Sequence, residues 1–309
     1  MRPALSVVLF TVLSGAGLGL FALLALVQIA GADSSLSQVM HLASGLLALA
    51  LVAAGLLSST FHLANPKNAW RAVTRVRTSW LSREGVLALA FFPVALGYLA
   101  ARYLGWPAAW QTVLGIAGVL LAWATLFSTG MIYACLKTIP QWHDRLVPAA
   151  YLVNGHLSGA LLLLALAAVD QKALPAYVAL VLVFLAATAL VKGSYYRKFG
   201  SRAGAHALPN AIGMTAARAK LLDAGHTHGT FLTHEFVFRF GREQATLLRG
   251  LFFALSLLLP TIVVGAGVGD PLILALTAVA CLAGLLVERW LFFAEAQHVV
   301  RLYHGQQTV

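Results

Sequence analysis

Residues 38–84 read QVMHLASGLLALALVAAGLLSSTFHLANPKNAWRAVTRVRTSWLSRE. The part from 38 to 62 is an apolar run, and about 20 such residues carry a helix across the hydrocarbon of a bilayer. It ends in His62, and the next apolar run opens at Glu84. Between them lie Lys67, Arg71, Arg75, Arg77 and Arg83, with no acid from Leu63 to Arg83. Two spans joined by a short cationic loop make a membrane hairpin. Ionisable groups at a hydrocarbon boundary are costly and tend to face a protein interior or a water-filled cavity, so His62 with Glu84 points to proton chemistry beside a cationic docking surface.

Working outward, seven more runs have the same character. The spans predicted are 5–30, 38–62, 84–103, 110–134, 149–169, 174–192, 247–267 and 271–294. The composition agrees: 60% hydrophobic, 10% charged and a mean hydropathy of +0.84, against about 25% charged in soluble domains. The expectation is an all-α integral membrane protein of eight transmembrane helices, a single anchor domain over 1–309 with one long extramembrane loop at 193–246. Arg2 followed by an apolar run resembles a secretory signal, but the run continues to Ala30, beyond a signal core of about 7–15 residues. The first span is therefore read as retained, and its Ser14, Gly15, Gly17 and Gly19 as close helix packing.

If the spans alternate, both termini and the loops at 63–83, 135–148 and 193–246 share one side. That side carries 19 of the 21 Lys and Arg residues, all except Arg102 and Lys172. Short cationic loops favour the cytoplasm, which predicts cytoplasmic termini. Topology and attraction to anionic membrane lipid account for such a face, and an acidic protein partner would also suit it. Nucleic acid is not expected, since Trp70 and Trp80 beside these charges read as interfacial anchors. The long loop contains a candidate short helix at Ile212–Asp223 and the aromatic stretch FLTHEFVFRFGREQ at 231–244, too little for an enzyme domain.

Only Cys135 and Cys281 occur, too few thiols for an iron–sulfur cluster. His226, His228 and His234 lack a convincing zinc set, and His62 and His156 differ in depth, which argues against a haem held by both. The predicted metal complement of this chain is none. Polar residues within the spans gather in one leaflet: His62, Glu84, Tyr151, Asn154, His156, Glu288 and Arg289. A site at that depth admits a lipid-soluble ligand while facing a soluble partner. Each residue also has a structural reading. His62 could bond to backbone at the interface, and Glu84 could be a helix N-terminal acid after an N-cap Ser82. His156 in NGHLSG could make an interhelical hydrogen bond. His41, toward the opposite face, reads as interfacial. Glu288 and Arg289, inside an apolar run, need polar partners.

The motifs FHLANPKNAWRA (61–72), TSWLSRE (78–84), KTIPQW (137–142) and ERWLFF (288–293) resemble the membrane anchor subunit of dimethyl sulfoxide reductase, within the wider polysulfide-reductase and nitrite-reductase membrane-subunit superfamily. The resemblance covers nearly the whole chain. It implies an anchor without haem or iron–sulfur cluster in the bacterial inner membrane. The implied partners are a ferredoxin-like iron–sulfur subunit and a molybdopterin catalytic subunit. It also implies electron exchange with menaquinone or ubiquinone, with His62 matching a histidine associated with quinol binding and Glu84 an acid of the same site. The basic face and the TSWLSRE form also resemble anchors of cytoplasm-facing sulfite-oxidising molybdoenzymes, which send electrons into quinone. Direction stays open at this level.

The expected function is that of a quinone-reactive anchor. His62 and Glu84 handle hydrogen bonding and protons, and Arg77, Arg83, Tyr151, His156, Glu288 and Arg289 are candidates for the pocket. A secondary transporter would place its polar groups near the midplane at broken helices and repeats. A purely structural anchor would not need ionisable groups inside its spans.

Overall fold

In a computed structural model, residues 3–31, 36–61, 65–171, 175–200 and 244–304 are described, with Leu208, Gly213 and Leu222 between them. Among these, eight helices are long and apolar enough to cross a membrane: α1 (Leu5–Ile29), α2 (Gln38–Thr60), α3 (Trp80–Tyr103), α4 (Ala108–Ala134), α5 (Leu146–Val169), α6 (Pro175–Gly200), α7 (Ala245–Gly265) and α8 (Pro271–Ala294). The chain is a multi-pass membrane protein. Helices are the expected solution, because each one satisfies its own backbone polar groups where no water is available.

The most buried of the eight is α1, which packs against α2, α4, α5 and α8. Its small residues make this possible. A Cβ on Gly19 would stand 2.0 Å from the Gly155 carbonyl oxygen of α5, and one on Gly159 would stand 2.4 Å from the Leu20 nitrogen. The α1–α5 backbones therefore touch where side chains would otherwise intervene, as expected of packing inside lipid. Around this axis Phe21 meets Phe91 and Tyr98 edge-on, at centroid distances of 4.9 and 5.6 Å.

One end of the bundle is drawn together by polar contacts. Ser58 at the end of α2 donates to the Ser6 carbonyl at the start of α1 (3.0 Å). The segment after α4 docks on the end of α8: Trp142 Nε1 donates to the Phe292 carbonyl (3.0 Å), and the Val299 amide donates to the Thr138 carbonyl (3.0 Å). A 3₁₀ helix, Pro66–Arg75, follows α2 at this end. At the other end Ser37 binds Asp170 through both its amide and its hydroxyl (2.6 Å each).

Several boundaries differ from the sequence reading. Helix α3 begins at Trp80, capped by Ser79, whose hydroxyl accepts from the Ser82 amide (3.3 Å); Ser82 is thus inside the helix. Helix α6 continues through Gly200 instead of stopping at 192. Its last turns are held by Tyr195, which donates to the Gln141 carbonyl (3.0 Å), and by the Lys198–Asp144 ion pair. Helix α7 contains a π turn at Ala254–Leu258. Pro260 has no N–H for the Ser256 carbonyl, which instead takes the Cys281 thiol of α8 (3.9 Å), while the Ser256 hydroxyl donates to the Cys281 carbonyl (3.0 Å).

Candidate functional site

Glu84 sits in the second turn of α3, 3% exposed, with its carboxylate against the Thr129 hydroxyl of α4. Thr129 also lies 3.0 Å from the Thr125 carbonyl oxygen. A hydroxyl has one proton to donate and lone pairs to accept with. When Glu84 is ionised, Thr129 donates to it; when Glu84 is protonated, Thr129 can accept from it and donate to Thr125 instead. The pair suits a carboxyl group that changes protonation state.

One turn further along α4, Tyr133 stacks on Tyr151 of α5, with centroids 5.9 Å apart and planes at 13°. The Arg289 guanidinium lies 4.0 Å from the Tyr151 ring centroid. Arg289 donates to Glu288 (2.8 Å), and Lys192 of α6 binds the other carboxylate oxygen (2.5 Å). All three charged groups are at most 4% exposed. Lys192 also rests over the Tyr195 and Tyr196 rings, at 4.4 and 4.6 Å. This triad holds two cations and one anion, so it keeps an excess positive charge inside the bundle. Beyond it the partly exposed Glu295 pairs with Arg249 of α7. The structure thus brings Glu84, Tyr151, Glu288 and Arg289 into one lateral line of polar and aromatic groups.

His156 stands apart from that line. Trp123 Nε1 donates to its Nε2 (2.9 Å), and its Nδ1 lies 2.8 Å from the Leu152 carbonyl, so Nδ1 carries the proton of a neutral ring. It stacks on Phe184 (5.0 Å) and lines an apolar groove of about 490 Å³ with Trp123, Phe127 and Leu152. A second groove of about 910 Å³ shares Phe127 and Leu152 and runs on to His143, Arg145 and Lys198. The two grooves form a trough along α4 and α5.

The basic loop residues serve local structure as well. Arg83 donates to the Val76 and Arg77 carbonyls (2.8 Å each) and lies over the Trp80 ring at 4.2 Å. Arg77 is exposed. His41, interfacial by its place in the sequence, is instead 2% exposed, its ring 5.6 Å from that of Tyr98; the α2–α3 contact encloses it. His62 lies outside the described residues, as do His226, His228 and His234. Among the described residues, no group of three or more His, Cys, Asp or Glu could hold a metal ion.

Lys192 is the residue that sequence reasoning misses, because hydropathy alone ends the sixth span there. The signal for it is the need of Glu288 for a second cation, together with the aromatic pair Tyr195 and Tyr196 one turn on.

The chain matches the family model of the DMSO reductase anchor subunit (DmsC) over residues 1–294. It is 32% identical to a sulfite dehydrogenase subunit of Allochromatium vinosum, across 98% of this chain and 99% of that protein. It is 26% identical to a component of the anaerobic dimethyl sulfoxide reductase of Haemophilus influenzae, across 71% of this chain and 81% of that one.

Proposed function

Because this chain belongs to the DMSO reductase anchor subunit family, as a membrane anchor subunit of DMSO reductase or sulfite dehydrogenase type complexes, we propose that it exchanges electrons between the quinone pool and an iron–sulfur partner subunit. The molybdopterin chemistry belongs to a third subunit. The observation that carries this reading is the buried Glu84 carboxyl, held by a hydroxyl that can serve either protonation state. Two-electron exchange with a quinone must be matched by two protons, and an acid of this kind beside the basic end of the bundle supports that role.

The quinone supplies the redox chemistry when bound. This chain's own residues position it and hold protons: Glu84 at its carboxylate, and His62, one loop away in sequence, as hydrogen-bond partner to a ring oxygen. The two grooves along α4 and α5, about 490 and 910 Å³, each fall within the roughly 300–1,000 Å³ typical of ligand clefts and offer an apolar approach from the lipid. Similarity over the full length to a sulfite dehydrogenase subunit makes sulfite oxidation with quinone reduction the first direction to assay. Sulfoxide reduction with quinol oxidation is the reverse use of the same site. We place the chain in the bacterial inner membrane with the basic end toward the cytoplasm, following its charge partition.

The test uses the assembled complex in native membranes. His62→Ala and Glu84→Gln should each lower quinone-coupled turnover by about 10²-fold or more, the usual scale for a lost acid–base group. The catalytic subunit should keep its turnover with an artificial dye. Normal quinone-coupled turnover in both variants, with the complex intact, removes the site from this location.

A further inference from the structure

We propose that a small cavity between α1, α5 and α8 holds a buried water molecule that relays protons between Tyr151 and Glu288. The inference rests on the quinone reading, which supplies a reason for protons to move at Glu84. The cavity measures about 20 Å³ and is lined by Thr11, Tyr151, Asn154, Ser158, Glu288 and Arg289, among others. A cavity of roughly 10–15 Å³ on the same measure admits one water, provided polar partners are present.

The partners are present, and those of Asn154 are unmatched. Asn154, 6% exposed, has both its side-chain oxygen and its nitrogen buried without a hydrogen bond, while the Tyr151 hydroxyl beside it has the Arg289 guanidinium as a neighbour. Two unmatched amide atoms on the wall of one cavity are costly if left dry, since each loses its hydration and gains nothing in return. The hydroxyl protons of Thr11 and Ser158 already go to backbone carbonyls, at 3.1 Å for Val8 and 3.0 Å for Asn154. Their oxygens are left as acceptors. A water there can accept from the Asn154 nitrogen and donate to its oxygen, with Tyr151 and Glu288 within the same wall.

The position of this water gives it more than a structural part. On one side Tyr151 stacks on Tyr133, which neighbours Glu84. On the other side Glu288 leads to Lys192 and, two turns along α8, to the partly exposed Glu295. For each proton passed outward, Tyr151 takes one from the Glu84 side through Tyr133 and gives its own to the water, and the water gives one to the Glu288 carboxylate as the Lys192 ammonium releases one toward Glu295. Glu288 then hands its proton to Lys192, so Tyr151, the water and the ion triad end as they began, the triad never loses its net charge balance, and one proton has moved from Glu84 toward Glu295. With quinone reduction the sequence runs the other way.

The whole complex provides the test. A cryo-electron microscopy map at a resolution that shows waters should place one within about 3.2 Å of the Asn154 amide. Asn154→Leu fills the site with an apolar side chain, so the complex should assemble with unchanged or higher thermal stability. Its quinone-coupled turnover should fall about tenfold, with a larger solvent deuterium effect, on the scale of a lost proton-transfer path. Asn154→Ser, which keeps the site polar, should stay close to the parent rate. Should Asn154→Leu fail to assemble, Thr11→Val removes a hydroxyl from the same wall at nearly equal volume and should show the same direction of change. A dry cavity overturns the proposal, and so does an Asn154→Leu complex with parental rate and isotope effect. Normal turnover in both His62→Ala and Glu84→Gln would instead sink the quinone site, whatever the cavity holds. A slow Glu84→Gln beside a normal Asn154→Leu sinks the relay alone.

Discussion

Glu288 is the anion on which two buried cations depend. Removing one partner of a buried ion pair typically costs about 3–5 kcal/mol, because the remaining charge has neither water nor a counterion. Glu288→Gln leaves Lys192 and Arg289 facing each other and should abolish accumulation of the protein in membranes. Lys192→Met leaves a neutral Glu288–Arg289 pair and an apolar side chain over Tyr195 and Tyr196, so it should accumulate at a substantial fraction of the parent level. Immunoblots of membranes carrying each variant check the ordering; equal accumulation of the two would show that the triad does not hold the fold. Glu288 and Arg289 are legible in the sequence because charge inside an apolar run demands explanation. Lys192 is not, because a lysine at the edge of a run looks like a topology signal until the helix is seen to continue past it. The pairing of Glu84 with Thr129 is illegible for a different reason: nothing in either local sequence specifies which face of α3 meets α4.

At the level of elements, existence is readable and partnership is not. A span is a one-dimensional property, about 20 apolar residues in a row, and all eight appear where the hydropathy puts them. A helix apolar on every side gives no stripe to say what it packs against. The exception is α1, whose Ser14, Gly15, Gly17 and Gly19 predict close packing and provide it on two sides, Ser14 and Gly17 against α2 and Gly15 and Gly19 against α5. The motifs KTIPQW and ERWLFF stand about 150 residues apart in the chain, and the fold joins them: Trp142 stacks on Phe292 at 5.6 Å and donates to its carbonyl, a bond across a separation of 150 positions. Backbone contact at Gly19 makes substitution there severe. Gly19→Leu should cost on the order of 3 kcal/mol or more, at the upper end of overpacking penalties, and lower the melting temperature in detergent. Gly97→Ala, whose new Cβ would meet its nearest neighbour at 3.8 Å, should leave melting unchanged or raise it. Similar melting of Gly19→Leu and the parent would mean that α1 and α5 are not in backbone contact.

For the whole molecule, the asymmetry of charge and the lateral line of polar groups coincide at one end. On the proposed function, an iron–sulfur subunit trading electrons with a quinone near Glu84 would cover that end, and the loop bearing Arg71, Arg75 and Arg77 is exposed there. Single surface pairs contribute only about 0–1 kcal/mol, so one substitution is expected to do little. Changing Arg71, Arg75 and Arg77 together to Glu should reduce retention of the partner on purification while leaving the anchor inserted. Crosslinks placing the partner at the Arg102 end would refute this docking face. The central position of α1 has a consequence for synthesis. Of the eight spans, α1 is made ahead of the other seven, its partners are spread among them, and its glycine-lined side cannot be covered until α5 has been made. The α2 side of α1 closes with the next span, but its α5 side stays open to lipid until the three intervening spans have been made, so a backbone contact at the centre of the bundle has to wait for half of its helices.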